Sequence, residues 1–296
     1  MKRITFVTTC KGRLHHVQQT LPTLAKIQQA DIVFVDYGCP QKSGEWVAQH
    51  FPEVQVVNVN DDAGFCLPRA RNHGAEKAQT PWLFFIDADM GVKPEMGAWL
   101  EKSRMPLNMY RSSLENGVRS PDTWGTFLCH QAMFKKVGGY DEAFRGWGGE
   151  DVDLYRRLAE MGVAAAEYPV GLLDPIPHDD LQRVAFQEVK DLGLNHVINE
   201  TYMAAKNVFL SQMRGKTALP EGRNVELMDA IKKKVRDWDD KGRPEKYKIS
   251  FKSVTQQWLP KPYSLGVEID LSLTIQHHPK PEESPELFLK GQTKNS

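Results

Sequence analysis

Trp82-Leu83-Phe84-Phe85-Ile86-Asp87-Ala88-Asp89 runs five apolar residues straight into two acids. The apolar run reads as a buried strand, and the acids mark the point where it leaves the core. Spaced one residue apart, Asp87 and Asp89 share one side of an extended chain. At a turn they can grip a hard divalent ion together with sugar or phosphate oxygens. A capped turn with two solvated charges is the plainer alternative.

Upstream the same kind of run recurs. Ile4 to Thr9 is rich in β-branched residues and stops at Cys10-Lys11-Gly12-Arg13; Asp31 to Asp36 stops at Tyr37-Gly38-Cys39-Pro40; Val54 to Val59 is a third strand. Between them lie helical patterns. His15 to Ile27 places Val17, Leu21, Leu24 and Ile27 on one face, with Pro22 starting the helix late or kinking it; Glu45 to Phe51 and part of Gly64 to Ala78 follow. Strand and helix in alternation with short links predict an α/β fold, a central mostly parallel sheet flanked by helices. Ligands of such sheets bind beyond the carboxyl ends of the strands, where Thr8 to Arg13, Asp36 to Gly38 and Asp87 to Asp89 all fall.

Downstream, Met90 to Trp99 is expected to be a helix, and Arg104 to Ser120 is polar and unassigned. Trp124 to Cys129 is expected as a strand, Gln131 to Val137 as a short helix, and Asp151 to Met161 as a helix with Val152, Leu154, Tyr155 and Leu158 inward. Val163 to Val170 reads as a strand and Leu181 to Leu210 as largely helical. The composition then changes. Lys232 to Asp240 reads as a charged helix, Lys248 to Val254 and Gly266 to Ile275 as strands, and residues 277–296 as a loose polar tail. Residues 1–210 are therefore expected to form the main domain and 211–296 a small C-terminal extension.

At 296 residues the chain has ample length for a real core. Lys+Arg and Asp+Glu number 38 each, so no global field recruits nucleic acid or a membrane surface. No signal-peptide pattern or long apolar segment is seen. The four cysteines form no CxxC pair, which favours free thiols over disulfides or a zinc site. A cytoplasmic protein is expected, with docking at the inner membrane face and the oligomeric state left open.

Two further stretches carry chemistry. Phe144-Arg145-Gly146-Trp147-Gly148-Gly149-Glu150-Asp151-Val152-Asp153-Leu154 joins three carboxylates to an indole and three glycines. Acids at a helix start complement its dipole, but that accounts for neither Trp147 nor the glycines. A glycine loop bringing an indole and a carboxylate to one place suits sugar recognition and general-base catalysis. Pro177-His178-Asp179-Asp180 offers an imidazole, which beside carboxylates suits Mn²⁺ better than Ca²⁺. Arg13, Arg69 and Arg71 are candidate diphosphate or base contacts, or solvated charges.

Together these stretches resemble the GT-A fold glycosyltransferases, especially family 2 with a galactosyltransferase-type C-terminal module. Gly146-Trp147-Gly148-Gly149-Glu150-Asp151 is similar to the Trp-Gly-Gly-Glu-Asp segment of β-galactosyltransferases, and Gly138-Gly139-Tyr140-Asp141-Glu142 to the Gly-Gly-Phe-Asp-Glu stretch before it. Arg69-Ala70-Arg71-Asn72-His73-Gly74 followed by Asp87-Ala88-Asp89 resembles the family's Ala-Arg-Asn-x-x-Gly and DxD region. The likeness covers roughly residues 3 to 200, with a nucleotide-sugar half over about 1–100 and an acceptor half over about 101–210.

What the resemblance implies is a metal-dependent inverting transfer from a UDP-sugar to a saccharide or glycoconjugate acceptor. Thr8, Cys10, Arg13, Asp36 and Arg69 would line the nucleotide site, with Asp36 on the uracil. Asp87 would contact ribose or a metal-bound water. Asp89 and His178 would hold Mn²⁺ (or Mg²⁺). Asp151 would be the base, Glu150 would hold the acceptor, and Trp147 and Gly149 would form the sugar-binding loop. Some relatives carry a methionine three residues before the metal histidine; here that position is Pro175. The rival readings are a non-catalytic sugar-nucleotide scaffold and a sugar nucleotidyltransferase. The single glycine after the first strand speaks against the latter.

Overall fold

The computed structural model describes residues 3–102, 104–177, 184–211, 213, 218–220, 222–236, 245–255 and 265–275. Two compact units divide the chain, residues 1–231 and 232–296. The expected boundary at residue 210 falls at the end of a long helix inside the first of them.

The apolar runs become the centre of the first unit. Strands β1 (Ile4–Cys10), β2 (Ala30–Asp36), β3 (Gln55–Asn58) and β4 (Trp82–Phe85) lie parallel in the order β3-β2-β1-β4. Helices α1 (Leu14–Ala25), α2 (Ser43–His50) and α3 (Leu67–Lys77) make the crossovers. Past β4 the chain forms β5 (Met90–Val92), α4 (Glu95–Leu100), β6 (Asn108–Ser112), β7 (Phe127–His130), α5 (Gln131–Lys136), α6 (Glu150–Glu160) and β8 (Ala164–Tyr168). Strand β7 runs antiparallel to β4 and to β6, and β6 pairs parallel with β8, completing a seven-stranded sheet. The expectation of a mostly parallel sheet flanked by helices holds.

Alternation along each strand sends side chains to two cores. Ile4, Phe6 and Phe84 meet Val17, Leu21 and Leu24 of α1, Val47 of α2 and Met96 of α4 on one face. Val7, Leu83 and Phe85 meet Ala75 of α3, Phe134 of α5 and Leu154 and Leu158 of α6 on the other. Gly74 is needed where α3 crosses β1, because a Cβ there would run into Val7.

Two expectations are corrected. Met90 to Trp99 is not one helix: Met90–Val92 pairs antiparallel with β9 (Leu173–Pro175), and only Glu95–Leu100 is helical. The polar, unassigned stretch contains β6, whose short run carries too little alternation to be read in isolation. Of the helix expected over 181–210, residues Leu192–Ser211 form α7, and residues 181–183 lie outside the described residues. Further on come α8 (Arg223–Arg236) and, in the second unit, an antiparallel pair β10 (Glu245–Thr255) and β11 (Leu265–Ile275). The tail at 277–296 lies outside the described residues.

All four cysteines are buried and free, as the sequence predicts. No helix among the described residues is long and apolar enough to cross a membrane.

Candidate active site

The carboxyl ends of β1 and β4 open onto a cleft of about 450 Å³. Strand β4 delivers Asp87 and Asp89 into its wall; α6 delivers Glu150 and Asp151 from its first turn; the glycine loop before α6 delivers Trp147. Residues 64, 62 and 60 positions apart in sequence thus share one surface.

Arg71 is the organising group. It is fully enclosed, on the inner face of α3, and its guanidinium forks between two acids. Nη2 donates to Asp87 Oδ1 at 2.7 Å and Nη1 to Asp151 Oδ1 at 2.6 Å. The remaining donors reach the Tyr140 hydroxyl at 2.9 Å and the Gly125 carbonyl at 3.1 Å. Tyr140 Oη in turn donates to Asp151 Oδ1 at 3.0 Å. A Cβ at Gly125 would come within 2.6 Å of the guanidinium, so only glycine lets the fork close. A planar bidentate donor fits this task where an ammonium would not. From sequence Arg71 is a diphosphate or base contact or a solvated charge; in the fold it braces two carboxylates.

Burial and mutual repulsion set the charges. Burial pushes the Glu150 carboxyl up to about 8, with the neighbouring Asp151 charge adding to it. Asp151 is also raised, by burial first and by Asp87, while Arg71 and the Tyr140 hydrogen bond hold the shift back. An acid with that environment is suited to accept a proton near neutral pH. The third acid of the motif does other work. Asp153 is wholly buried and accepts from Arg157 Nε at 2.7 Å and Lys206 Nζ at 2.8 Å. Lys206 also reaches Asp141 at 2.7 Å, tying α7 to α6 and to the turn before the glycine loop.

The loop needs its glycines. Gly146, Gly148 and Gly149 have φ of +83°, +92° and +94°, a region that side chains rarely tolerate. A Cβ on Gly146 would run into Asn195 Oδ1. Asn199 of α7 donates to the Gly148 carbonyl at 2.7 Å, and Trp147 is left 42% exposed at the cleft.

On the nucleotide side the outcome is mixed. Thr9, Lys11 and Arg13 line the cleft. Thr8 and Cys10 sit one position out of phase and are buried. Cys10 is hydrogen-bonded to Cys39, which pushes Cys10 up and draws Cys39 down to about 5. Asp36 is engaged in the turn into α2, accepting from Cys39 N at 2.7 Å, Ser43 Oγ at 2.9 Å and Gly44 N at 2.5 Å. Arg69 is held by Asp61 at 2.6 Å, away from the cleft wall. Phe65 and Phe186, which no sequence pattern singled out, complete that wall.

Asp89 faces the cleft with Arg13 Nη1 at 2.7 Å from its carboxylate. Its oxygens are the hard donors that Mn²⁺ or Mg²⁺ prefers. His178 lies outside the described residues. Among the described residues no three His, Cys, Asp or Glu side chains cluster as a ready metal cage.

Comparison with known proteins agrees with this architecture. Residues 4–112 match the family described as "Glycosyltransferase like family 2", and residues 113–179 match "N-terminal domain of galactosyltransferase". A pre-mycofactocin glycosyltransferase of Mycobacterium tuberculosis is 28% identical over 50% of this chain and 37% of its own length. Human beta-1,4-galactosyltransferase 5 is 42% identical over 56 residues, 18% of this chain and 14% of its own. The chain thus spans less than half the length of these curated relatives. Among solved structures, Staphylococcus aureus TarS in complex with UDP-GlcNAc superposes with a TM-score of 0.55 at 12% identity, covering 77% of this chain and 71% of that one. A mannosyltransferase from Pyrobaculum calidifontis in complex with GDP-Man and Mn²⁺ gives 0.51 at 12% identity, covering 77% and 73%. At such identity these likenesses speak for the fold alone. The chain thus has the GT-A fold and is similar to family 2 glycosyltransferases over residues 4–112 and to galactosyltransferases over 113–179.

Proposed function

We propose that the chain transfers a hexose or N-acetylhexosamine from a UDP-sugar to a hydroxyl of a saccharide or glycoconjugate acceptor, in glycan or polysaccharide synthesis. The observation that carries this reading is the Arg71 fork, which holds Asp87 and Asp151 side by side at the floor of a cleft also walled by Asp89, Glu150 and Trp147. Such a floor separates two jobs. Asp87 and Asp89, with Lys11 and Arg13, face the nucleotide diphosphate; Asp151, Glu150 and Trp147 face the acceptor.

In this reading Asp151 takes the proton from the acceptor hydroxyl as its oxygen attacks the anomeric carbon. Attack comes from the face opposite the departing diphosphate, so configuration inverts. Arg71 and Tyr140 fix the carboxylate's direction, leaving its other oxygen for the hydroxyl. Trp147 offers an apolar face to a sugar ring, and Glu150, largely protonated at neutral pH, can donate to an acceptor oxygen. Asp89, joined by His178, would hold Mn²⁺ or Mg²⁺, which neutralises charge on the leaving diphosphate when bound.

The test is calorimetry of UDP with and without Mn²⁺, followed by a donor screen for UDP release. Metal-dependent UDP binding that Asp89→Ala abolishes is expected, together with turnover of one donor. Equal UDP affinity in D89A would remove the metal assignment. Binding without release from any donor would favour the non-catalytic reading.

A further inference from the structure

Helix α7 contributes to the cleft two side chains that no motif contains. His196 and Glu200 are four residues apart, hence on one helical face, and both line the cleft. Another face of that helix is turned inward, with Ile198, Tyr202 and Ala205 buried and Lys206 tied to Asp141 and Asp153. His196 is exposed beside Gly148, and Glu200 is half-buried. Neither takes part in a hydrogen bond or ion pair among the described residues. The helix is thus rigidly anchored while this pair is left available.

The cleft also carries a second indole. Trp124 is 43% exposed and lines the same cleft as Trp147. It is held in place from behind: the Arg111 guanidinium lies 4.7 Å from its ring, and Tyr155 Oη donates to its carbonyl at 2.7 Å. Two indoles fixed at one cleft form a platform for a sugar's C–H faces. The same cleft is lined by Glu150, over nine-tenths buried, to which no side chain among the described residues hydrogen-bonds.

Charge then narrows the occupant. The cleft's cations Lys11 and Arg13 belong to the nucleotide side, and Arg71 is neutralised by its two acids. Among the described residues lining the acceptor side there is no lysine or arginine, whereas the Glu200 carboxylate faces in and Glu150, protonated at neutral pH, adds a donor but no cation. An acidic sugar would meet the Glu200 carboxylate there with no cation among the described lining residues to answer it.

We infer that the acceptor is a saccharide without acidic groups, neutral or amine-bearing, seated between Trp124 and Trp147 and selected by His196 and Glu200. Uronates and sugar phosphates are excluded. This rests on the transferase reading of the cleft for the word acceptor, but its binding test does not need turnover.

The full chain with UDP present is titrated by saturation-transfer NMR with three methyl glycosides: glucoside, 2-amino-2-deoxyglucoside and glucuronide. The first two are expected to bind, the glucuronide about tenfold more weakly or not at all. Glu200→Gln should narrow the gap between the amino sugar and the glucuronide by about tenfold, and His196→Ala should weaken the neutral glycoside, both with UDP affinity unchanged. Equal binding of the glucuronide, binding of none of the three, or an unaltered ranking in E200Q would overturn the inference. Glycoside binding with this ranking but no UDP release from any donor would instead remove the transferase reading and leave the ligand class standing.

Discussion

At the scale of single residues the site depends on one buried cation shared by two acids. Replacing Asp151 by Asn keeps its shape and removes the proton acceptor, so transfer should fall by about 10²–10⁴-fold, measured as kcat with the preferred donor. Arg71→Lys keeps a charge but not a fork. One of the two acids then loses its partner, and the acidic limb of the kcat/KM profile should move to higher pH as Asp151 becomes harder to ionise. A third prediction concerns Glu150, whose carboxyl is pushed up to about 8 in the fold from an ordinary 4.5. Between those values the folded chain keeps a proton that the unfolded chain has lost, so this group's contribution is full below about 4.5 and lost as pH rises through about 8. Thermal melts should therefore show a smaller loss of stability from about pH 5 to about pH 9 in E150Q than in the parent.

Sequence reading was least able to see this scale. It found Asp87, Asp89, Glu150, Asp151 and Trp147, because acids at a strand end or helix start and an indole among glycines are local signals. Thr8 and Cys10 miss the cleft by one step of strand alternation, which a run buried on both faces does not reveal. Arg71 could not be told from Arg69 two residues away: one points into the molecule and the other reaches Asp61, and only packing decides.

At the scale of elements, α7 matters through the network beneath it. Lys206 is buried between Asp141 and Asp153, with Tyr202 and Asn224 also donating to Asp141. Lys206→Met would leave two buried acids short of a cation, a loss of about 3–5 kcal/mol by urea unfolding. The strands β1, β2 and β4 are legible because each is rich in β-branched or apolar residues, and α6 because its first-turn acids agree with the spacing of Leu154, Tyr155 and Leu158, although Val152, also expected inward, is 41% exposed. Met90–Val92 was read as helix because three residues cannot display a period, and its pairing partner lies more than eighty positions away.

At the scale of the whole molecule, every described residue lining the cleft lies between Thr9 and Glu200, within the first compact unit. A chain stopped after residue 240 should therefore keep its UDP affinity by calorimetry; loss of binding would assign the second unit a part in the nucleotide site. The alternation of strands and helices foretells the sheet, whose carboxyl edge opens onto the cleft. The antiparallel insertion of β7 was not foreseeable, since strand order depends on contacts across the fold rather than on any one segment.

Asn72 and Tyr140 join the two family-matched stretches. The Asn72 amide receives the Tyr140 N–H at 2.9 Å and returns a bond to its carbonyl at 3.0 Å, and Gly139 leaves room for that contact. This clasp runs from side chain to backbone, beside the Arg71 fork and the β4–β7 ladder that also join the two stretches. A chimera grafted from two relatives at residue 112 should keep this clasp only if asparagine and its glycine travel together, so recombination between such halves is constrained at the same tyrosine whose hydroxyl steadies Asp151.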